Sequence, residues 1–455
     1  MAGDKLSTGT LIRYSALAAP MQTLLAPVTM VIPAFYAKNT AISLAAVGSV
    51  YLFSRFFDGV TDPLVGYLSD RTESRIGRRK PWLIAGALIA MIAVLYMFNP
   101  PADADWPYLF LCIIGMYVGY TMMDISHRSW GVELSHDYVE RSRISTYIAV
   151  MTMVGFFAFL ATPLLPFFES SEMTAEVFTV ISIGIVVLLP ALVLLAVLTV
   201  PVGKRVATEK PSIRKLIQSL KSNKPLLSFA LAMISSGLGW GVFIAIAFLV
   251  IDTYLGLGAK FSIVMLLYAA TRFAGIPLWL RLIKRFGKHR SWAVSRALEA
   301  VTVLSILLLP QGEAGFVPFL ILISAMGITG GANEVAPMAI LGDVVDYDTL
   351  KTGANQSGNY FAFYSLIQKI NYGIGGGVAF LILAAFGFDP KLAENTDLAN
   401  FGLMATFAIV PAFCYFMCAV FIWNFPIDAR RQEIIRRRIE QRAERAAVAM
   451  PEKTG

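Results

Sequence analysis

Stretches of about 20 apolar residues, the length a helix needs to cross a bilayer core roughly 30 Å thick, recur along nearly the whole of this 455-residue chain, separated by short polar breaks. No other feature narrows the fold so far. Hydrocarbon offers no partner to a backbone N–H or C=O, so each stretch must satisfy its own as a helix. About twelve can be placed, near 11–35, 42–68, 82–99, 106–134, 144–168, 177–200, 225–253, 261–283, 292–310, 316–343, 358–386 and 399–425. The expectation is an all-α membrane protein of about twelve transmembrane helices with no soluble domain. Its 57% hydrophobic and 15% charged residues agree, because that balance leaves too little polar surface to solvate a globule. The first stretch is too long for a signal peptide and lacks a small-residue cleavage site after a short core, which makes it a retained span.

The formal net charge of +8 would suit nucleic acid, but its placement does not. Arg71, Arg75, Arg78, Arg79 and Lys80 follow the second span, seven Lys and Arg between Lys204 and Lys224 follow the sixth, and Lys284, Arg285, Lys288 and Arg290 follow the eighth. Loops after odd-numbered spans, such as NPPADADW and FFESSEMTAE, hold acids and almost no Lys or Arg. By the positive-inside rule both termini lie in the cytoplasm. The basic surplus records topology, and no nucleic-acid partner is expected. The expected setting is the lipid bilayer of a cell membrane, the cytoplasmic membrane of a bacterium, as a multi-pass monomer. Cys112, Cys414 and Cys418 fall inside predicted spans, without the paired spacing of a disulfide or zinc site.

The basic loop KRVATEKPSIRKLIQSLKSNKP divides the spans six and six. Four segments result: an N-terminal half (1–203), a basic linker (204–224) with an amphipathic stripe of Ile213, Leu216, Ile217 and Leu220, a C-terminal half (225–426) and a basic amphipathic tail (427–455) suited to anionic inner-leaflet lipid. RIGRRKPW at 75–82 is echoed by RFGKHRSW at 285–292, an offset of 210 residues (75 to 285), each leading into the third span of its half. Parallel six-span repeats with a substrate site between them at mid-membrane form one secondary-transporter architecture. The same offset sets Asp58 and Asp62 against Tyr268 and Arg272, so the acid pair belongs to the N-terminal half alone.

An ionisable side chain at the bilayer centre costs roughly 2.5–3.5 kcal/mol, so one that persists inside a span points to function and needs a partner. Asp58 and Asp62 on the second span share a helix face at about 6 Å, where two negative charges repel by about 3 kcal/mol at an effective dielectric near 20. A bound cation, a shared proton or a lysine from another helix would offset this. Thr61 adds an oxygen of the kind a hard cation such as Na⁺ takes. Pairing of Asp58 with Arg55 inside the helix is the structural alternative.

Asp124 and Arg128 repeat the spacing with opposite signs on span four, which also offers Tyr120, Thr121 and Trp130. They read as an intrahelical ion pair or as groups that hold a polar solute, Arg128 favouring an anion. Trp240 is an aromatic neighbour on span seven. Glu334, in GITGGANEVAP, lies among glycines and before Pro337, which suits a broken helix beside a cavity, or equally a pair with a base from another helix. Lys369 is the sole base of its span, and Asp58 or Asp62 is its natural acid. Asp70 with Arg78 or Arg79 would latch the cytoplasmic side. No metalloprotease, nucleophile-elbow or phosphate-loop motif occurs, and His127, His136 and His289 are scattered. An enzyme is not expected, nor any cofactor beyond a coupling ion.

These residues resemble the glycoside-pentoside-hexuronide:cation symporters of the major facilitator superfamily, whose type members are the melibiose permeases. The carriers of the resemblance are FDGVTDPLVGYLSDRTESRIGRRKPW, YTMMDI on span four, ELSHDYVERSR after it, DVVDYDTLKTG after span ten, and Lys369. The resemblance implies the two-half major facilitator fold. It implies a cation site at Asp58 and Asp62, with Thr61 and Thr121 at matching positions, Lys369 near the acids and Asp124 as a sugar contact. The chain departs from the family where an acidic residue on span one is Gln22, a span-four tryptophan is Arg128 and a span-five arginine is Ala149. Related sodium-dependent lysolipid transporters keep the cation acids and the lysine without the sugar contacts. The expected function is therefore Na⁺- or H⁺-coupled import of a sugar, glycoside or hexuronide by alternating access. A transporter of a lysolipid or other amphiphilic anion is the alternative, and a channel or lipid-translocating protein the alternative of another class.

Overall fold

The computed structural model describes residues 5–135, 137–203, 223–353, 357–392 and 394–449, and among these it contains helices and no strand. In chain order they are α1 (Thr8–Ser15), α2 (Ala18–Met30), α3 (Ile32–Asn39), α4 (Leu44–Arg71), α5 (Lys80–Phe98), α6 (Trp106–Leu134), α7 (Tyr138–Ala161), α8 (Ala175–Thr199), α9 (Lys224–Leu249), α10 (Phe261–Phe286), α11 (Lys288–Ser305), α12 (Phe316–Gly330), α13 (Ala336–Thr352), α14 (Ser357–Ala385), α15 (Asp397–Trp423) and α16 (Ala429–Ala449).

Among the described residues ten helical stretches are long and apolar enough to cross a membrane, and α1 and α2 with α3, bent by 50°, make an eleventh. The bend falls at Val31, where Pro33 in the first turn of α3 has no N–H to give and its ring crowds the preceding turn. The remaining predicted span is α4, 28 residues long. Arg55, Asp58 and Asp62 lower its apolarity enough to keep it out of that group. Span ten is α12 and α13, interrupted by a 3₁₀ turn at Gly331–Glu334 with Pro337 just after it; this is the break expected around Glu334.

Caps set where the spans begin. Ser43, Asp105, Asp137, Thr174, Asn223 and Thr396 each accept a backbone N–H from the first turn of the helix that follows, satisfying a donor that hydrocarbon could not. Close packing is set by small residues. A Cβ on Gly86 of α5 would lie 2.7 Å from the Gly119 carbonyl oxygen of α6, so these backbones touch only because both positions are glycine.

The repeat extends beyond the echoed loop. Gly77 and Gly287, one in each copy, both take left-handed φ values of 95° and 87°, which a side chain would make costly. Arg78 pairs with Glu133 at 2.7 Å, and Lys288 pairs with Asp343 at 2.7 Å. Both members of the second pair lie 210 residues beyond those of the first.

The first six spans pack through α5 on α6 and α8, α4 on α6, and α2 on α7; the last six through α9 on α14 and α15, α11 on α12 and α15, and α10 on α12. The two sets meet where α4 lies on α14, α2 and α3 on α9, and α7 on α10. At the end remote from the termini this seam is tight. Residues 31–37 and 241–251 are all buried, Lys38 donates to Asp252 at 2.6 Å, and Ser171 donates to the Ala259 carbonyl at 2.9 Å.

Of two surface expectations, one falls outside the described residues and the other is modified. Residues 204–222, with the linker's amphipathic stripe, lie outside the described residues. The tail helix α16 turns part of its apolar stripe inward: Ile435 is buried and Ile439 packs on the same core cluster, and Arg442 donates to the Leu350 carbonyl of α13 at 2.5 Å, while Ile434 stays exposed.

Candidate functional site

α4 carries its acids into the seam with α14. Asp62 accepts from Lys369 of α14 at 2.6 Å and from the Thr121 hydroxyl of α6 at 3.0 Å. Asp58, 7% exposed, accepts from Arg55 one turn earlier at 2.9 Å. Arg55 in turn lies over the Tyr117 ring, 4.0 Å from its centre, and donates to that hydroxyl. The repulsion expected between the acids is thus offset twice, once from within α4 and once across the seam. Among the described residues, Asp58 keeps one buried carboxylate oxygen with no hydrogen-bond partner. An ionised carboxylate oxygen without a donor is costly; it is the atom that a small cation or a proton fits. Thr61 directs its hydroxyl proton to the Phe57 and Asp58 carbonyls, leaving its oxygen lone pairs as its only possible contribution to a cation. No group of three or more His, Cys, Asp or Glu that could hold a metal occurs among the described residues; the oxygens gathered here are those of the two α4 carboxylates, Thr61 and Thr121.

Beside the acids lies a cavity of about 480 Å³ walled by both halves. Gln22 and Thr29 of α2, Asp58 of α4, Tyr120, Asp124 and Arg128 of α6 and Thr152 of α7 meet Trp240 of α9, Tyr268 and Arg272 of α10 and Lys369 of α14. Leu25, Met30, Met153, Phe156, Ile244 and Met265 supply apolar wall. Asp124 holds Arg128 at 2.7 Å, so the intrahelical pair and the cavity position are both realised. Arg128 is 67% exposed in its side chain against 12% for Asp124, which makes the wall wetter toward the end that carries the termini. Asp62 and Glu334 are not in the wall. Each is presented through its base, Lys369 and Arg272, which are.

Several sequence expectations need correction. Glu334 pairs with Arg272 of α10 at 2.7 Å, which is the reading as another helix's partner. Arg79 pairs with Asp70 and also with Glu133 at 2.9 Å, whereas Arg78 turns to Glu133 and not to Asp70. All four residues belong to the first six spans, so they fasten α4, α5 and α6 together and do not latch one half to the other. Trp130 is buried, donates to the Pro201 carbonyl at 3.1 Å and is no solute contact. The His127 ring is spent on the Tyr14 carbonyl at 2.9 Å; His136 lies outside the described residues. Arg55 as a site member, Tyr117, Glu133 and Arg272 were missed. Arg55 was visible as a neighbour able to pair with Asp58, and Arg272 and Glu133 as positions related by the 210-residue offset to Asp62 and to Asp343, whereas Tyr117 left no signal.

The sequence profile of the family described as MFS/sugar transport protein matches residues 13–429. The chain belongs to this family. Its members are membrane transporters and not enzymes, which fixes the protein as a multi-pass protein of the cell membrane. Among similar chains, the glucuronide carrier protein homolog of Escherichia coli is 22% identical over 95% of this chain and 95% of its own length. The isoprimeverose transporter of Lactiplantibacillus pentosus is 25% identical over 92% and 88%. The sodium-dependent lysophosphatidylcholine symporter 1-A of Danio rerio is 24% identical over 85% and 79%. Among solved structures, the nucleoside transporter NupG superposes with a TM-score of 0.65 at 13% identity, covering 92% of this chain and 100% of that one. A bacterial homolog of the lysosomal transporter Spinster, inward-facing and unoccupied, gives 0.61 at 13% identity, covering 95% and 96%. At such identities these structures establish the fold alone.

Proposed function

We propose that the protein is a cation-coupled symporter that imports a sugar-type solute, a glycoside or hexuronide, by alternating access, with Na⁺ or H⁺ held at Asp58 and Asp62. The observation that carries this reading is the pair Lys369–Asp62, an ion pair that joins the two halves beside a cavity lined by both. In the absence of the ion, Lys369 and Arg55 hold the acids. A cation that reaches the open Asp58 oxygen and then Asp62 releases Lys369 toward the cavity, which readies the wall for solute and loosens the seam. Half-loaded states leave one of these charges without a partner in the closed intermediate, and that penalty is the coupling. One monovalent ion moving down about 100 mV supplies roughly 2.3 kcal/mol, and a tenfold gradient adds about 1.4 kcal/mol. Together they sustain accumulation of a neutral solute by a few hundredfold, enough for nutrient uptake.

The sealed end at Lys38 and Asp252 is the outer side in this reading, and the cavity faces the cytoplasm with both termini. The names of the sugar-transporting relatives favour a sugar; the named lysophosphatidylcholine symporter and the replacement of sugar contacts by Gln22 and Arg128 keep an amphiphilic anion as second reading. The test is uptake into proteoliposomes of sugars, uronates and lysolipids, each with and without Na⁺ at fixed pH and again with a pH gradient. Saturable, ion-dependent accumulation of one class supports the reading. Flux of solute that neither saturates nor responds to either ion would mark a channel and end it.

A further inference from the structure

Two arginines face the cavity from opposite halves, and each is held in the same manner. Arg128 gives its Nε to Asp124 at 2.7 Å, and Arg272 gives its Nε to Glu334 at 2.7 Å. Asp124 and Glu334 lie 210 residues apart (124 to 334), the offset that also relates Gly77 to Gly287 and Arg78–Glu133 to Lys288–Asp343. The two carboxylates therefore occupy equivalent places in the repeat. Arg272 gives Nη1 to the Tyr268 hydroxyl at 2.6 Å, but the Nη2 of neither arginine has a hydrogen-bond partner among the described residues.

A guanidinium tied through Nε has its plane fixed and presents the Nη edge as a fork matched to a carboxylate or phosphate. Trp240 and Tyr268 stiffen the Arg272 side further: their rings stack at 5.7 Å, and the Arg272 guanidinium carbon lies 5.2 Å from the Trp240 centre. Each basic group of the wall already has a carboxylate: Arg55 pairs with Asp58, Arg128 with Asp124, Lys369 with Asp62, and Arg272 with Glu334 and, at 3.6 Å, with the buried Glu299. What the wall offers a solute is therefore unused donor edges and not a surplus of charge.

We propose that the solute is an anion and that Arg272 binds it: the open edge of Arg272, with that of Arg128 from the other half, takes a carboxylate or phosphate group of the solute. This rests on the reading of the cavity as the solute path. A solute without an anionic group would leave two guanidinium edges short of acceptors when closure removes the water that serves them. An anion satisfies both edges at once and draws the two halves together. Glu334 holds Arg272 in place through Nε and does not compete for the fork.

The experiment measures binding by the full chain in nanodiscs, in Na⁺ at neutral pH, with two matched pairs of probes. One pair is 4-nitrophenyl β-D-glucuronide and 4-nitrophenyl β-D-glucoside, which differ in a carboxylate; the other is lysophosphatidate and the corresponding monoacylglycerol, which differ in a phosphate. The unaltered chain is expected to favour the anionic member of one pair by about tenfold or more, the scale of a charge-assisted hydrogen bond. Arg272→Gln is expected to abolish that preference while changing the neutral member less than about threefold, and Glu334→Gln to retain it. Na⁺-induced thermal stabilisation checks that the variant is folded and that the cation site is intact. Arg128→Gln gives the same reading should Arg272→Gln fail to fold. A preference confined to the lipid pair upholds the anion but removes the sugar reading. No preference for the anionic member in either pair, or equal loss of both members on Arg272→Gln, overturns the proposal.

Discussion

Lys369 of α14 and Asp62 of α4 meet at 2.6 Å across the seam between the two sets of six spans. The contact ties the two sets of spans together, and in the proposed cycle it is also the charge partner of the cation site, so that an ion at Asp62 would change how firmly the halves hold each other.

Asp58→Asn and Asp62→Asn are each expected to reduce ion-driven accumulation to about equilibration, from a few hundredfold for a neutral solute or from about tenfold for a monoanion carried with one cation under a tenfold ion gradient, with folding preserved, because asparagine keeps the volume of the side chain and removes its charge. Counterflow and uphill uptake in proteoliposomes separate the two effects. Full concentrative uptake by both variants would remove the cation site from α4.

Lys369→Gln removes the base that competes with the cation for Asp62. Apparent Na⁺ affinity, measured as Na⁺-dependent thermal stabilisation, is expected to rise by about tenfold, the effect of losing roughly 1.4 kcal/mol of competing interaction. Net uptake should fall, because the ion is then released slowly. An unchanged Na⁺ affinity would mean that Lys369 does not share Asp62 with the ion.

Glu133→Gln leaves the buried Arg79 guanidinium, 7% exposed, and Arg78 without the carboxylate oxygen that both use. Arg79 keeps Asp70 and the Ser69 hydroxyl, so the loss is that of charge-assisted hydrogen bonds, about 1.5–3 kcal/mol, and the melting temperature should fall by a few degrees. Asp343→Asn, at the equivalent place, should be milder, since its partner Lys288 is 28% exposed. Equal stability of Glu133→Gln and the unaltered chain would contradict the role assigned to that acid.

Asp252→Asn weakens the tie that closes the remote end. Lys38 is 41% exposed, so the pair contributes no more than about 1 kcal/mol, or up to about fivefold in the population open on that side. Labelling of Gln22→Cys by an impermeant thiol reagent added on that side should rise by no more than that factor. A tenfold or greater rise would show that the rest of the seam contributes less than its burial suggests.

The spans were legible because hydrocarbon imposes one backbone solution, and even the breaks at Pro33 and Gly331–Glu334 follow from residues that cannot continue a helix. The acids of α4 were legible for the opposite reason, as charges where none should persist. Their partners were legible too, Arg55 as a neighbour one turn away and Lys369 as the sole base of its span, but what supports those partners was not. Sequence shows that Asp58 needs a cation but not that Arg55 is braced by Tyr117 from 62 positions away, nor that Glu133, near the end of an apolar span, collects two arginines. Arg272 escaped notice because its role depends on Trp240, Tyr268 and Glu334 converging from three separate stretches. The 210-residue offset was visible in one loop; only contacts show that it also relates ion pairs.

The position of Lys369 also sets a schedule for synthesis. It follows Asp62 by 307 residues, and at roughly 5–20 residues per second a ribosome needs on the order of 15–60 s to reach it. Throughout that interval a span carrying Arg55, Asp58 and Asp62 awaits a counter-ion that has not been translated, so its insertion must be sheltered by neighbours or by the translocation machinery until the eleventh span emerges.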